Sequence, residues 1–220
     1  MKIKLSSKQM KSPDKLLKAM LEFVGYLKHN VKLYLILAGV IVLITATVVS
    51  INHFTSKNEE KARQSLYALG QKIQKLGPEQ KDSVFDIIEK ELPGLGNTKA
   101  AVEARYMLAE MYYNNKNWVK AVTHYELVTK KAKGLIQELA FLGLAYSSEN
   151  SGDIKKALDG FTKVKELNSP VYKDVAMMGV ARCYQKLGDK VKATATYESV
   201  IIAYPDTDVA RLASVAKASL

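Results

Sequence analysis

An internal repeat of 36 residues constrains the fold of this chain more than any other feature of its sequence. An alanine recurs with this period, at Ala121, Ala157 and Ala193. A second alanine precedes each of these by twelve positions, and an aromatic residue follows each by four, as Tyr125, Phe161 and Tyr197. A pattern that recurs with this period is typical of stacked structural units, each of which covers the apolar face of its neighbour.

The residues around the alanines predict two antiparallel helices in each unit. Gly152 and Gly188 suit the left-handed conformation that often ends a helix, and the aspartates that follow them suit the N-cap of the next helix. In the first unit Lys116 and Asn117 replace this Gly-Asp pair, and asparagine is still a good cap. We expect the paired alanines to let the two helices approach closely, and the aromatic residue to fill the gap between one hairpin and the next.

A degenerate hairpin is expected before the repeats. Phe85 precedes Pro93 by eight residues, the same offset as between the aromatic residue of the last repeat and its proline. This offset predicts helices near 58–76 and 79–91, which Gly77-Pro78 would separate.

One further helix is expected after the last repeat. Pro205 ends the last hairpin, and Asp206 would cap a helix over about 207–218 that covers the apolar end of the stack. The sequence contains no strand-like alternation of any length. The predicted fold class is therefore all-α, a solenoid of helical hairpins with a C-terminal capping helix.

An uncharged segment of 24 residues lies between Lys32 and Lys57. Its apolar centre, residues 33–51, would form a helix about 29 Å long, close to the thickness of the hydrocarbon core of a bilayer. We therefore predict a single membrane-spanning signal-anchor helix over 33–54. Two other interpretations stay open for this segment, a buried core helix and a cleaved signal peptide.

The residues before this segment predict its orientation. Residues 1–32 hold eight lysines against two carboxylates, so the positive-inside rule places the N-terminus in the cytoplasm and the repeats in the periplasm of a bacterium. This basic tail also contains an apolar stripe with helical spacing, formed by Leu16, Met20, Phe23, Leu27 and Val31. The stripe fits either a helix that lies on the cytoplasmic leaflet or a helix that continues into the span.

No set of residues in the sequence predicts catalysis or a metal site. Cys183 is the only cysteine and is expected to be a small core residue. His29 and His53 flank the apolar segment, and His124 is expected on a solvent-facing helix surface. The phosphate-binding loops, zinc motifs and nucleophile motifs of common enzymes are absent. We predict no enzyme activity, cofactor, metal or small-molecule substrate, and an enzyme with an unrecognised active site is the alternative.

The distribution of charge argues against a nucleic-acid partner. The net charge of the chain is +11, and residues 1–32 carry +6 of it. The repeats are therefore only mildly basic, whereas nucleic-acid-binding domains concentrate positive charge on the domain itself.

The small–aromatic–proline pattern resembles the tetratricopeptide repeat, strongly over about residues 98–205 and weakly over 58–97. A basic tail, one signal anchor and a periplasmic repeat body together resemble the ancillary subunit family of the SecYEG translocon. The stretch FDIIEKELPGLGNTKAAVEARYMLAEMYY is similar to the helix–Pro–Thr–helix junction of that family.

This resemblance implies an inner-membrane protein-binding scaffold without catalysis. Its partners would be translocon subunits, periplasmic chaperones or unfolded clients, and it would hand translocated proteins to the chaperones. The alternative is a tetratricopeptide coordinator of cell-wall synthesis or cell division. The implied organisation is a basic cytoplasmic tail over 1–32, the membrane helix over 33–54, the degenerate hairpin over 55–97, and three repeats with the capping helix over 98–220.

Repeats of this type expose a concave face that is built from their first helices, and the alanine register identifies the residues that would line it. We predict a protein-binding groove with aromatic and apolar walls and with carboxylates at its first end. The predicted groove residues are Glu103, Tyr106, Glu110, Tyr113, Leu142, Tyr146, Glu149, Met178, Arg182 and Gln185. The alternative for each of them is packing between neighbouring helices.

Overall fold

Helices joined by short turns form the structure. The computed structural model describes residues 31–75, 81–167 and 171–220. In chain order the helices are α1 (Val31–Gln74), α2 (Lys81–Glu91), α3 (Lys99–Asn114), α4 (Trp118–Thr129), α5 (Leu135–Ser151), α6 (Ile154–Glu166), α7 (Lys173–Lys186), α8 (Lys190–Ala203) and α9 (Asp208–Ala218). The predicted all-α class is confirmed. The basic tail up to residue 30 and the break predicted at Gly77-Pro78 lie outside the described residues.

Helix α1 is one continuous helix of 44 residues. The helices predicted near 33–54 and 58–76 are both present, as parts of this one helix, which continues through residues 55–57. The chain has no glycine or proline between Gly39 and Gly70 that would interrupt a helix. The Thr55 hydroxyl donates to the carbonyl oxygens of Ile51 and Asn52, so the polar residue at the expected boundary is accommodated within the helix.

The chain divides into two units, Met1–Ser56 and Lys57–Leu220. In the first unit, aliphatic side chains of α1 are largely exposed, with Leu43 at 69% and Val49 at 66%. Among the described residues, one helix is long and apolar enough to cross a membrane by length and composition alone, within Gly39–Gln74.

The second unit contains the three predicted hairpins, α3–α4, α5–α6 and α7–α8. Gly152 and Gly188 adopt the left-handed conformation, with φ of 89° and 79°. The side chains of Asn117, Asp153 and Asp189 accept hydrogen bonds from the first turns of α4, α6 and α8. The predicted turns and caps are therefore confirmed at all three hairpins.

The repeat residues pack where their register predicts. All six register alanines are fully buried, which allows the helices of each hairpin to approach closely. The rings of Tyr125, Phe161 and Tyr197 are buried as well. A Cβ atom added at Gly143 of α5 would overlap the Tyr125 ring, and one added at Gly179 of α7 would lie 2.5 Å from the Phe161 ring. Each of these two rings therefore fills the gap to the next hairpin, and a glycine there makes room for it.

A glutamate in α1 joins this helix to the first repeat. The Glu59 carboxylate accepts hydrogen bonds from the backbone N–H groups of Lys99, at 2.7 Å, and Ala100, at 3.0 Å. The Thr98 hydroxyl accepts from Ala101 N–H in the same turn. These three N–H groups have no partner inside α3, so the carboxylate and the hydroxyl together complete the start of the helix.

The N-cap of the final helix lies one residue later than predicted. Asp206 lies in the turn with a φ of 63°, whereas Thr207 has the extended backbone that an N-cap requires. The Thr207 hydroxyl accepts from Ala210 N–H at 3.2 Å. The prediction of Asp206 as the cap was wrong, because its left-handed backbone does not aim its side chain along the first turn.

His124 does not face solvent, which corrects a second prediction. Its side chain is 12% exposed and lies 3.5 Å from the Glu89 carboxylate. The imidazole stacks on Tyr112, whose other stacking partner is Phe85 of α2. The sequence prediction treated α4 as an outer helix, but α2 contributes the residues that cover this part of it.

Candidate functional site

The ten predicted groove residues lie on α3, α5 and α7, the first helix of each hairpin. Nine of them form three rows that repeat every 36 residues, because spacings of four and three place residues on one face of a helix. The first row contains Tyr106, Leu142 and Met178, the second Glu110, Tyr146 and Arg182, and the third Tyr113, Glu149 and Gln185. Glu103 lies one turn before the first row.

The first row is only partly available to a partner. Tyr106 is half-buried, and its ring meets the Tyr125 ring edge-on at 5.9 Å. Met178 is half-buried and packs against the core of the last hairpin. Leu142 is buried in the core of the second hairpin together with Phe161. The groove assignment of Leu142 is therefore corrected, because its aliphatic side chain is enclosed by the residues it packs against.

The carboxylate of the second row is engaged inside the protein. The Tyr125 hydroxyl donates a hydrogen bond to Glu110. Burial, and then the neighbouring Glu110, raises the pKa of both Tyr106 and Tyr125 above the ordinary range of tyrosine. The hydroxyls therefore stay protonated, and Glu110 serves as their acceptor instead of presenting a free charge.

An ion cluster links the second and third hairpins across the groove. Arg182 of α7 donates through Nε and Nη2 to the two oxygens of Glu149 at 2.7 Å and 2.6 Å. Lys186 Nζ lies 2.8 Å from the same carboxylate, of which 6% is exposed. Burial alone would raise the pKa of Glu149, but its bonds to Arg182 and Lys186 outweigh this and hold the pKa below its usual value.

The remaining polar groove residues also have partners within the chain. Glu103 lies 3.6 Å from the Arg63 guanidinium. The Gln185 side-chain oxygen accepts from the Tyr197 hydroxyl at 2.9 Å. The Tyr113 ring packs edge-on against Trp118, with 5.0 Å between centroids. Contacts with side chains of α1, α4 and α8 thus hold these groove residues in place.

Three half-buried tyrosine rings stand out on this face: Tyr106, Tyr113 and Tyr146. Tyr146 packs edge-on against Phe161, and the Arg182 guanidinium lies 5.7 Å from the Tyr146 ring centroid. These rings are therefore supported from behind while part of each stays accessible. Rigid aromatic side chains of this kind bind apolar and aromatic groups at a low cost in side-chain entropy.

The chemistry of this face favours recognition. Burial raises the pKa of the Cys183 thiol to about 11, so the thiol is protonated at neutral pH. Cys183 is fully buried, as its prediction as a core residue required. In the part of the chain that the structure describes, no three His, Cys, Asp or Glu side chains are grouped so that they would hold a metal ion.

Sequence reasoning missed two residues on this face. Lys186 follows Arg182 by four residues, so its place beside Glu149 follows from helical spacing and could have been found. The Asn150 amide donates to the Tyr113 hydroxyl at 3.4 Å. No local pattern points to this second contact, because 37 residues separate its partners.

Comparison with known proteins identifies the repeat. The tetratricopeptide repeat profile matches residues 103–133 and 175–207. No curated protein sequence matches the chain.

Solved structures that resemble the chain include proteins with tetratricopeptide-type repeats. The TPR-like repeats assigned to a kinesin light chain of Podosopora anserina are 17% identical, with a TM-score of 0.52, over 74% of this chain and 83% of that one. The TPR domain of Arabidopsis OM64 is 17% identical over 54% of this chain and 94% of that one, with a TM-score of 0.45. PcrH, solved with the chaperone-binding region of PopB, is 19% identical over 55% of this chain and 97% of that one, with a TM-score of 0.47.

The profile match and the two-helix units agree with the alanine register that the sequence displays. A stack of such units typically serves as a scaffold for protein interactions and carries no catalytic group. Residues 103–133 and 175–207 therefore match the tetratricopeptide repeat, and the stacked hairpins of the described chain have the fold of TPR-like repeats.

Proposed function

We propose that the groove formed by α3, α5 and α7 binds apolar and aromatic segments of other proteins. The observation that carries this proposal is a set of three partly accessible rings on the first helices of the first two hairpins. They are Tyr106 and Tyr113 of α3 and Tyr146 of α5. Each ring packs edge-on against an aromatic residue of its own hairpin, at 5.0 to 5.9 Å between centroids. A partner would meet surfaces that are already positioned, which lowers the entropy lost on binding.

The charges of the groove support the same class of ligand. Glu110 and Glu149 accept hydrogen bonds from tyrosine, arginine and lysine side chains of the chain itself. A charged partner would have to displace these bonds before it formed its own. We therefore expect binding to depend weakly on salt and strongly on the aromatic content of the partner.

The place of this scaffold in a cell is part of the proposal. The apolar segment of α1 and the lysine excess before it support an anchor in a bacterial inner membrane, with the N-terminus in the cytoplasm and the repeats in the periplasm. A scaffold so placed would meet chains that leave the Sec translocon and would hand them to periplasmic chaperones. The layout of tail, anchor and repeats supports this assignment.

The test is capture of partners by the full chain from detergent-solubilised membranes. We expect replacement of both Tyr106 and Tyr146 by alanine to weaken capture, because each lost aromatic anchor typically costs about 1–2 kcal/mol of binding free energy. Ala157→Leu is the matched control. It forces the helices of the second hairpin apart at a fully buried contact, which typically costs about 1–3 kcal/mol of folding free energy, and it leaves the rings unchanged.

The two variants separate binding from folding when capture is normalised to folded protein. Per amount of folded protein, the double tyrosine variant should capture less partner than the native chain, and Ala157→Leu should capture as much. The opposite pattern would show that the rings only pack, and would contradict the groove. Recovery of translocon subunits and chaperones would support the proposed role, whereas recovery of cell-wall synthases would support the coordinator of wall synthesis or division instead.

A further inference from the structure

One edge of the repeat stack combines lysines with exposed apolar side chains. This edge lies where α4 is followed by α5 and where α6 is followed by α7. Leu135, the first residue of α5, is 54% exposed, and Val171, two residues before α7, is 58% exposed. The lysines beside them are Lys130, Lys131, Lys133, Lys165 and Lys173. We call these seven residues the lysine edge.

The lysines of this edge have no carboxylate partner among the described residues, which distinguishes them from Lys120, Lys156, Lys186 and Lys192. Of the five, Lys131 donates to the Asn97 side-chain oxygen at 2.8 Å. Near the edge, Glu166 faces Lys163 at 3.9 Å, and the Asp174 side chain accepts from Val175 N–H. The edge therefore carries positive charge that no carboxylate of the described residues neutralises.

The opposite edge, where the two helices of each hairpin meet, is also rich in lysine, but four of its lysines form ion pairs with side-chain carboxylates, whereas none is described for Lys116, Lys155 or Lys190. Lys120, Lys156, Lys186 and Lys192 pair with Glu89, Glu126, Glu149 and Asp189, at 3.5, 2.9, 2.8 and 2.8 Å. An exposed apolar residue is also present there, because Leu187 is 42% exposed. The two edges thus differ in the share of their lysines that pair with a described side-chain carboxylate, which is four of seven at the opposite edge and none of five at the lysine edge.

Hydrogen bonds connect the lysine edge to a residue that follows the uncharged segment in sequence. Glu59 comes five positions after Phe54, which lies near the end of that segment. Glu59 binds the N–H of Lys99, and Lys131 binds Asn97 two residues before it. The lysine edge therefore begins beside the part of the chain that would follow an anchor.

We propose that the lysine edge docks on the anionic headgroups of the membrane that holds the chain, with Leu135 and Val171 entering the interfacial region. Each lysine at an anionic surface typically adds about 1 kcal/mol of attraction, and an apolar side chain adds burial. This inference rests on the proposed membrane anchor and is independent of the proposed groove ligand.

The experiment uses the full chain in lipid nanodiscs. One set of nanodiscs contains neutral phosphatidylcholine, and the other an equal mixture of phosphatidylcholine and anionic phosphatidylglycerol. An environment-sensitive fluorophore is attached at Leu135→Cys, and spin-labelled lipids act as quenchers. Cys183 is fully buried and does not compete for the label. Leu187→Cys, an exposed leucine beside lysines at the opposite edge, is the matched control.

We expect the probe at position 135 to be quenched in anionic nanodiscs and released in neutral ones or in high salt, which shortens electrostatic range. The probe at position 187 should be unquenched throughout. Changing Lys130, Lys131 and Lys133 together to glutamine should shift the docking equilibrium on the order of a hundredfold toward the undocked state. The same charge change at the opposite edge, on Lys116, Lys155 and Lys190, should leave docking intact.

Equal quenching at the two positions, or none at position 135 in anionic nanodiscs, would overturn the inference. So would an equal effect of the two lysine triples. A chain that does not co-elute with nanodiscs would overturn both the anchor and the docking edge. A chain that co-elutes without quenching at position 135 keeps the anchor and rejects only the edge.

Discussion

At the scale of single residues, Lys116 occupies a backbone conformation that favours glycine. Its φ is 58°, and the equivalent positions of the next two repeats are Gly152 and Gly188. The Cβ atom of an L-residue is crowded in this region, so lysine is retained here at a cost in conformational energy.

Lys116→Gly should stabilise the protein by up to about 1 kcal/mol, because relief of the crowding exceeds the added freedom of the unfolded chain. The measurement is the midpoint of thermal or denaturant unfolding. Gly188→Lys is the reciprocal control and should destabilise by a similar amount. An unchanged midpoint for both variants would show that the turn relaxes to accept either residue.

His124 is the residue whose environment most clearly links stability to pH. It stacks on Tyr112 and faces the Glu89 carboxylate, with Lys120 and Arg105 as nearby positive charges. Its Nδ1 atom is buried and has no hydrogen-bond partner among the described residues. Burial is the largest cause that lowers its pKa below 6.5, ahead of the opposing effect of Glu89.

A lowered histidine pKa predicts that the protein becomes less stable as the pH is lowered. Above pH 6.5 the imidazole is neutral in both states, and below it the unfolded chain binds a proton that the folded chain resists. The melting temperature should therefore drop more steeply from about pH 7 to about pH 5 in the native protein than in His124→Phe, which keeps the stacking. The two proteins have the same carboxylates, so a difference between their pH curves reports on position 124. Parallel curves would assign the pH dependence to groups other than His124.

At the scale of helices, two glycines define how one hairpin meets the next. Gly143 and Gly179 lie in register on α5 and α7, and each faces the buried ring of the preceding hairpin. The ring and the missing side chain are complementary in shape. The spacing between hairpins is therefore determined by contact of an aromatic ring with helix backbone.

Gly143→Ala should destabilise the protein by about 1–3 kcal/mol, because the new methyl group overlaps the Tyr125 ring and forces the hairpins apart. Gly70→Ala is a sharp control. It is an exposed position within α1 with nothing within 4 Å of the added atom, so alanine should stabilise there by about 0.5–1 kcal/mol. Chemical unfolding of both variants tests the pair. A Gly143→Ala variant as stable as the native chain would mean that the ring has room to move.

Local chemistry explains which elements could be predicted from the sequence. Asn117, Asp153 and Asp189 cap their helices through neighbours three residues away, so the sequence contains all the relevant information. Helix α1 continues through residues 55–57 because the Thr55 hydroxyl bonds to carbonyl oxygens within the helix. Thr207 took the place of Asp206 because the backbone conformation of one residue decides which side chain reaches the first turn.

At the scale of the whole repeat stack, register predicted the helices of the groove but not the state of each side chain. Leu142 and Tyr106 share a register position, yet one is buried and the other half-buried, because their neighbours come from different hairpins. His124 is covered by α2, which belongs to the degenerate hairpin before the three clear repeats. The ion pair of Glu149 with Arg182 joins residues 33 positions apart, so it could be found only from the packing of two hairpins.

The contact between ring and glycine also affects how a chain of this kind can change in length. Tyr125 meets Gly143, and Phe161 meets Gly179, through the same contact at the same spacing. An in-frame loss of one period, such as residues 130–165, would bring Tyr125 against Gly179 without creating a new kind of interface. A duplication would do the reverse. Because each hairpin needs only its neighbour, the gene for such a protein can gain or lose whole units, and the length of the groove can be selected separately from the stability of its parts.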